Sequence, residues 1–174
     1  MSAILSADGL HRLRLDRQVQ ATGLVFAYFG VNPSTADADS DDSTIRKLRE
    51  FTRINGGRRF IVANVFSYRS TDVRALKKVD VKSCNTWDSF LQLGAIIAEA
   101  DVLVPMWGDV SKVSARHRGA VLALLEVLER VSIACRKPLL HFGTTNGGSP
   151  RHPLFLPYST PLTPWPIGAH NAAK

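Results

Sequence analysis

Runs of apolar residues that stop abruptly at polar turns divide this chain into elements. Residues 23 to 31 (GLVFAYFGV) are almost unbroken apolar and stop at Asn32-Pro33-Ser34, and residues 59 to 66 (RFIVANVF) stop at the polar run 67 to 72. Short segments that are apolar at every position read as strands buried on both faces of a sheet. Residues 101 to 106 (DVLVPM), leading into Trp107-Gly108, and Pro138 to Phe142, leading into Gly143-Thr144-Thr145, repeat the pattern. At 11 to 19 (HRLRLDRQV) basic and apolar side chains alternate instead. That period of two predicts a half-buried edge strand, hairpin-paired with the segment that follows.

Helical spacing fills the intervals. Asp41, Asp42 and Ser43 can cap a helix in which Ile45, Leu48, Phe51 and Ile54 recur on one side, and Gly56-Gly57 stops it. Residues 83 to 99 read as a helix with Trp87, Phe90, Leu91 and Ile97 inward, and a long helix runs from about Val113 to Val131. The closing stretch, rich in Pro, Gly and Ser, reads as an ordered loop or a tail. Strand and helix alternate, which predicts an α/β fold: a three-layer α/β/α sandwich with a central, mostly parallel four-stranded sheet plus an N-terminal edge hairpin. One domain is expected, its core about 10–157 and its tail 158–174. In such sheets ligands bind beyond the carboxyl ends of the strands. Asn32 to Ser34, Asn64 with 67–72, Trp107 to Asp109 and Gly143 to Gly148 should therefore converge on one edge.

Composition narrows the partners. With 45% hydrophobic and 21% charged residues the chain can bury a core. Lysine and arginine (22) outnumber aspartate and glutamate (15), giving a net charge of +7. That balance favours a polyanion, nucleic acid first, over an acidic protein surface; a basic protein without such a partner is the plain alternative. Cys84 and Cys135 form no CxxC pattern, so both are expected to be reduced and structural. His11, His117, His141, His152 and His170 show no metal-ligand spacing, so no metal is expected. Nothing approaches the ~20 apolar residues that span a bilayer, and the N-terminus lacks a secretory apolar run. A cytoplasmic protein needing no cofactor is the resulting expectation.

Three segments could carry chemistry. Asn32, directly after a buried strand and before the rigid Pro33, can present its amide to a water or a substrate, or can simply make the turn. Asn64 lies inside an apolar run, so its amide must be satisfied, either by main chain or by the edge of a nucleobase. In Gly147 to Leu154 small residues permit close approach to phosphates, Arg151 supplies charge and His152 a donor, and Leu154 or Phe155 an apolar wedge; a plain loop is the alternative. The phosphate loop GxxxxGK[ST] and the dinucleotide fingerprint GxGxxG are absent.

Together these segments carry a resemblance. GVNPS at 30–34 is similar to the GINPG motif of the mismatch-specific branch of the uracil-DNA glycosylase superfamily, where the asparagine holds the hydrolytic water. RHPL at 151–154 resembles its HPSPLS loop, whose histidine stabilises the departing base and whose leucine enters the duplex. Asn64 follows in the order and place of the base-recognising asparagine. The wider pattern, NPSTAD, DxT, NVFSYRSTD, WG and GSPRHPL over roughly residues 10 to 157, also resembles a bacterial and phage family associated with that superfamily. The chain departs from the motifs at Ser34, which replaces a glycine, and in HPLFLP, which lacks the phosphate-contacting serines. Both departures open the reading to bases other than uracil.

The resemblance implies a monofunctional DNA glycosylase, a monomer acting on duplex DNA with a flipped-out base. Asn32, Asp42 and His152 would be catalytic, with Asp42 either an auxiliary carboxylate or only a helix cap. Phe29, Asn64 and Tyr68 would hold the base, and Ser34, Arg69, Arg151 and Leu154 the DNA. Uracil-like bases or hypermodified cytosine, such as glucosylated hydroxymethylcytosine, would be the substrates, with defence against phage as a role. Two other classes remain open: a non-catalytic nucleic-acid-binding module, and a hydrolase or sensor of a free nucleoside or nucleotide.

Overall fold

The structure, a computed structural model, describes residues 2–34, 36–70 and 72–168, without the side chains of Val73 and Ala75. Thr71 of the polar run, and residues 169–174 with His170 among them, lie outside the described residues. The fold is mixed α/β. Its five-stranded sheet has the order β1-β2-β4-β3-β5, formed by Ser2–Leu5, Arg12–Gln18, Gly57–Asn64, Leu24–Gly30 and Val102–Pro105 respectively. β3 runs parallel to both β4 and β5, whereas β2 is antiparallel to β4 and to β1.

Three expectations are corrected here. The sheet is mixed rather than mostly parallel, and it has five strands. The strand at 11–19 is no edge: β1, which the pattern did not reveal, covers it, and it pairs with the distant β4 instead of the following segment. The segment at 138–142 contributes only a parallel bridge from Leu139 to Leu103 and a two-residue strand, β6 (Leu140–His141). β6 pairs with β7 (Thr163–Pro164), so the closing stretch is partly built into the fold. Trp165 anchors it. Its ring is buried, and its Nε1–H donates to Glu129 Oε1 at 2.8 Å.

Helices pack on both faces of the sheet. α1 (Ser43–Ile54) puts Ile45, Leu48 and Phe51 against Phe26, Tyr28 and Phe60. α2 (Trp87–Glu99) and α3 (Ala115–Cys135) bury Ile96, Val121 and Leu125 against Ala27 and Phe29 on the other face. Alternate residues of β3 thus feed two cores, as its unbroken apolar run requires.

α2 corrects a further reading. A capping box between Thr86 and Ser89 starts the helix and turns Ser89 inward, so Ile96 and Ile97 form the buried side. Trp87, Phe90 and Leu91 fall on the outer side and are 75%, 54% and 56% exposed. A helix apolar on both sides cannot be phased by hydrophobicity alone. Both cysteines are free; Cys84 is buried in the core, whereas Cys135 is exposed. No helix among the described residues is long and apolar enough to cross a membrane.

β2 is unusual in burying arginines. Arg17 is 0% exposed and pairs with Asp41 at 2.6 Å, while donating to the carbonyls of Asp16, Asp37 and Ser40. The loop before α1 is thereby pinned to the sheet. Replacing Arg17 with methionine leaves these part-buried acceptors without their donor, which should cost about 1–3 kcal/mol. Urea unfolding checks this; a loss under about 1 kcal/mol would show that water or Arg49 takes over its role.

Candidate functional site

Main-chain hydrogen bonds lock the strand ends together. Val65 and Phe66 donate to the carbonyls of Gly30 and Val31, Ser70 to Pro33, and Met106 to Phe29. Beyond them opens a cleft of about 1140 Å³. Asn32, Ser34, Asp42, Asn64, His152 and Leu154 all line it, with Trp107 to Asp109 on the β5 side. Gly143 to Gly148 does not line it. That turn braces the next segment instead, because Arg151 N–H donates to Gly143 O and Thr145 N–H to Ser149 O.

Four predicted residues lie elsewhere. Phe29 is fully buried in the core beneath α2 and α3, so it cannot stack on a ligand in this conformation. Tyr68 packs on the same core with its ring edge-on to His11. The Arg69 guanidinium donates to Gly9 O, and Arg151 is exposed away from the cleft, its stem near Gly143.

The side chains in the cleft are held in defined orientations. Asn32 Nδ2 donates to the carbonyls of Ser70 (2.7 Å) and Pro33 (3.2 Å). Since carbonyl oxygens only accept, the amide orientation is dictated, and Oδ1 is what Asn32 can offer a ligand. Asp42 is the N-cap of α1, accepting from Ile45 N–H at 2.9 Å through Oδ1. Capping occupies one of its oxygens, and the residue still faces the cleft. His152 Nδ1 accepts from Leu154 N–H at 3.3 Å, which assigns the ring proton to Nε2. Gly108, at φ +76°, donates to Pro150 O, and a Cβ there would lie 3.4 Å from His152 Cβ. Glycine thus lets the turn after β5 support the histidine loop.

Of the two residues that the sequence offers as a wedge, Phe155 is 91% exposed at the mouth whereas Leu154 is half-buried. Charge also reaches the cleft from unexpected places: Lys77 and Lys112 on one rim, and Arg12 of β2 within. The Lys77 and Lys112 positions carried no periodic signal; the Arg12 position carried a misleading one.

A buried Cys84–His117 pair, Sγ to Nε2 3.4 Å, superficially offers a nucleophile. Burial pushes the thiol pKa up and the imidazole pKa down, and both side chains sit in the closed core. The pair is structural.

A family model described as "Protein of unknown function (DUF1643)" matches residues 12–154, which include every residue lining the cleft except Phe155. No curated protein and no solved structure matches the chain.

Burial holds the imidazoles of His117, His141 and His152 below their ordinary value, for His152 against an opposing pull from Asp42. The unfolded chain therefore binds these protons first. Stability is fully present above about pH 6.5 and declines as pH falls below it, before the carboxylates titrate. Melting temperatures followed downward from neutral pH check this. The decline should be shallower in His152→Gln, and a flat profile down to about pH 5 would contradict it.

Proposed function

The chain belongs to this family of unknown function, and for it we propose a DNA glycosylase activity: hydrolysis of the N-glycosidic bond of a flipped modified or mismatched base to leave an abasic site. The fold, with helices on both faces of the sheet, is read as a uracil-DNA glycosylase-like α/β/α arrangement. The observation that carries the reading is the pairing, in one cleft, of an asparagine that can only accept with a neutral histidine that can donate.

Cleavage of the C1′–N bond sends its electron pair to the base and leaves an oxocarbenium-like sugar, so the site needs a held water and a donor to the departing base. Asn32 Oδ1 accepts a hydrogen bond from the water and turns its lone pair toward C1′. Asp42, next to it along the cleft wall, stabilises the cationic sugar and takes the proton that the water sheds. His152 Nε2–H donates to the base as negative charge grows there. A neutral imidazole suits this task, because it donates without first having to be protonated. Asn64 holds the edge of the base.

Duplex DNA fits the surroundings of the cleft better than a free nucleoside does. Lys77 and Lys112 on the rim can meet phosphates, and a phenyl ring 91% exposed at the mouth has no structural task there. Phe155, rather than the half-buried Leu154, is assigned the space left by the flipped nucleotide.

The test is incubation with duplexes carrying uracil, 5-hydroxymethyluracil, hydroxymethylcytosine or its glucosylated form, followed by alkali. Strand breaks at the modified position are expected. Asn32→Ala should lower the excision rate about 100-fold or more, on the order of 3 kcal/mol, with DNA affinity unchanged and the protein still folded, though less stable by about 1–3 kcal/mol for the lost bonds to Ser70 and Pro33. Binding without excision on every duplex would instead mark a non-catalytic module.

Phe155→Ala supplies a second prediction. It should slow excision from duplex much more than from single strands, where there is little stack to break, and leave the melting temperature unchanged. Equal losses on both substrates would remove Phe155 from the wedge role.

A further inference from the structure

The reaction outlined above makes no use of Arg12. Between β1 and β2 the register slips: Ile4 faces Arg14, whereas Leu5 faces Arg12, leaving Leu13 as an extra residue. A bulge of this kind re-aims a side chain. Arg12 is carried under the loop before α1 and is only 4% exposed. Its Nη1 donates to Ala36 O at 2.9 Å and its Nη2 to Asn64 Oδ1 at 3.3 Å, while Nε is buried with no partner among the described residues. Desolvation pulls the guanidinium down to about 10, partly offset by Asp42, so it is still a cation at neutral pH.

A guanidinium only donates, so the Asn64 atom that faces it must be the oxygen. The amide nitrogen is then turned toward Gly30, its partner across the β3–β4 ladder, where a Cβ would lie 2.8 Å from Nδ2. A Cβ there would push Nδ2 aside. Nδ2 has no hydrogen-bond partner among the described residues, and Gly30 and Asn64 both line the cleft. With Oδ1 engaged by Arg12, the N–H donors are what Asn64 turns to a ligand entering beside Gly30.

We propose that Arg12 is the specificity-determining residue of the cleft: by occupying Asn64 Oδ1 it restricts the site to bases that present a carbonyl oxygen to Asn64, and disfavours those that present an exocyclic amino group. The proposal rests on the glycosylase reading for the chemistry, and it narrows the substrates to oxo bases. An amino group would set donor against donor and leave both unpaired in a desolvated site. A carbonyl gains twice. It accepts from Asn64 in the bound base, and it collects negative charge as the glycosidic bond breaks, one hydrogen-bonded link from the buried cation.

The test compares duplexes carrying 5-hydroxymethyluracil and 5-hydroxymethylcytosine, which differ at this edge in a carbonyl against an amino group, with N3 a donor in the first and an acceptor in the second. Excision is measured with the wild-type protein, and equilibrium binding in an Asn32→Ala background, so that a failed reaction and a failed preference are read separately. The oxo base is expected to be favoured about tenfold or more in both. Arg12→Met should bring the two duplexes to near equality with affinity for unmodified duplex unchanged. Arg12→Lys, which keeps a donor-only cation, should retain the preference. Should Arg12→Met fail to fold, Gly30→Ala, which displaces Nδ2, is expected to abolish the preference instead. Equal binding of the two duplexes by the parent, a preference for the amino base, or a preference that survives Arg12→Met or Gly30→Ala would overturn the assignment.

Discussion

Two guanidinium groups carried by one strand hold the polar half of this molecule together. The described residues of 31–42 belong to no helix or strand, yet they must place Asn32, Ser34 and Asp42 along one wall of a cleft. Carbonyls in such a segment that turn toward the sheet need donors. Arg17 supplies them to Asp37 and Ser40 while neutralising Asp41, and Arg12 supplies one to Ala36. With those carbonyls satisfied the loop is anchored on β2, and Asp42 reaches the position from which it caps α1. The cap in turn starts the helix whose Ile45, Leu48 and Phe51 close one of the two cores.

The same economy sets the chemistry of the cleft. Two asparagines stand at the ends of adjacent parallel strands, and their neighbours polarise them in opposite senses. The Ser70 carbonyl takes the N–H of Asn32 and exposes an oxygen, whereas Arg12 takes the oxygen of Asn64 and exposes N–H groups. Neither amide can flip without losing a partner in a partly desolvated place, at a cost of roughly 1–3 kcal/mol. A site that must hold a water on one side and a base on the other needs that asymmetry prepared before the substrate arrives. On the glycosylase reading, the fold's polar interior supplies it.

Much of this was legible in the residues. The unbroken apolar runs marked β3, β4 and β5, because a strand buried on both faces has no other composition. The polar residues at their ends marked the cleft, and Asp42 was readable as a cap from Ile45 onward. What misled was alternation. HRLRLDRQV looked half-solvated, but the bulge at Leu13 and the loop folded over β2 bury Arg12 and Arg17, and neither feature leaves a local trace. Phe29 was legible as apolar but not as core, since a strand end can face a ligand or a helix. Phe155 and Leu154 carry the same composition signal, and only the turn at Pro153–Phe155 decides which one protrudes.

The side-chain amide resonances of Asn32 and Asn64 test the opposite polarisation most directly. Their ¹H–¹⁵N signals, assigned by comparison with Asn32→Ala and Asn64→Ala, would be followed by solvent exchange in the free protein and with a bound duplex. The Asn32 amide should be protected in both states, because its N–H groups are spent on main-chain carbonyls. The Asn64 amide should exchange freely in the absence of ligand and become protected and shifted when an oxo base enters the cleft. An Asn32 amide that exchanges freely, or an Asn64 amide protected before any ligand is added, would contradict the account.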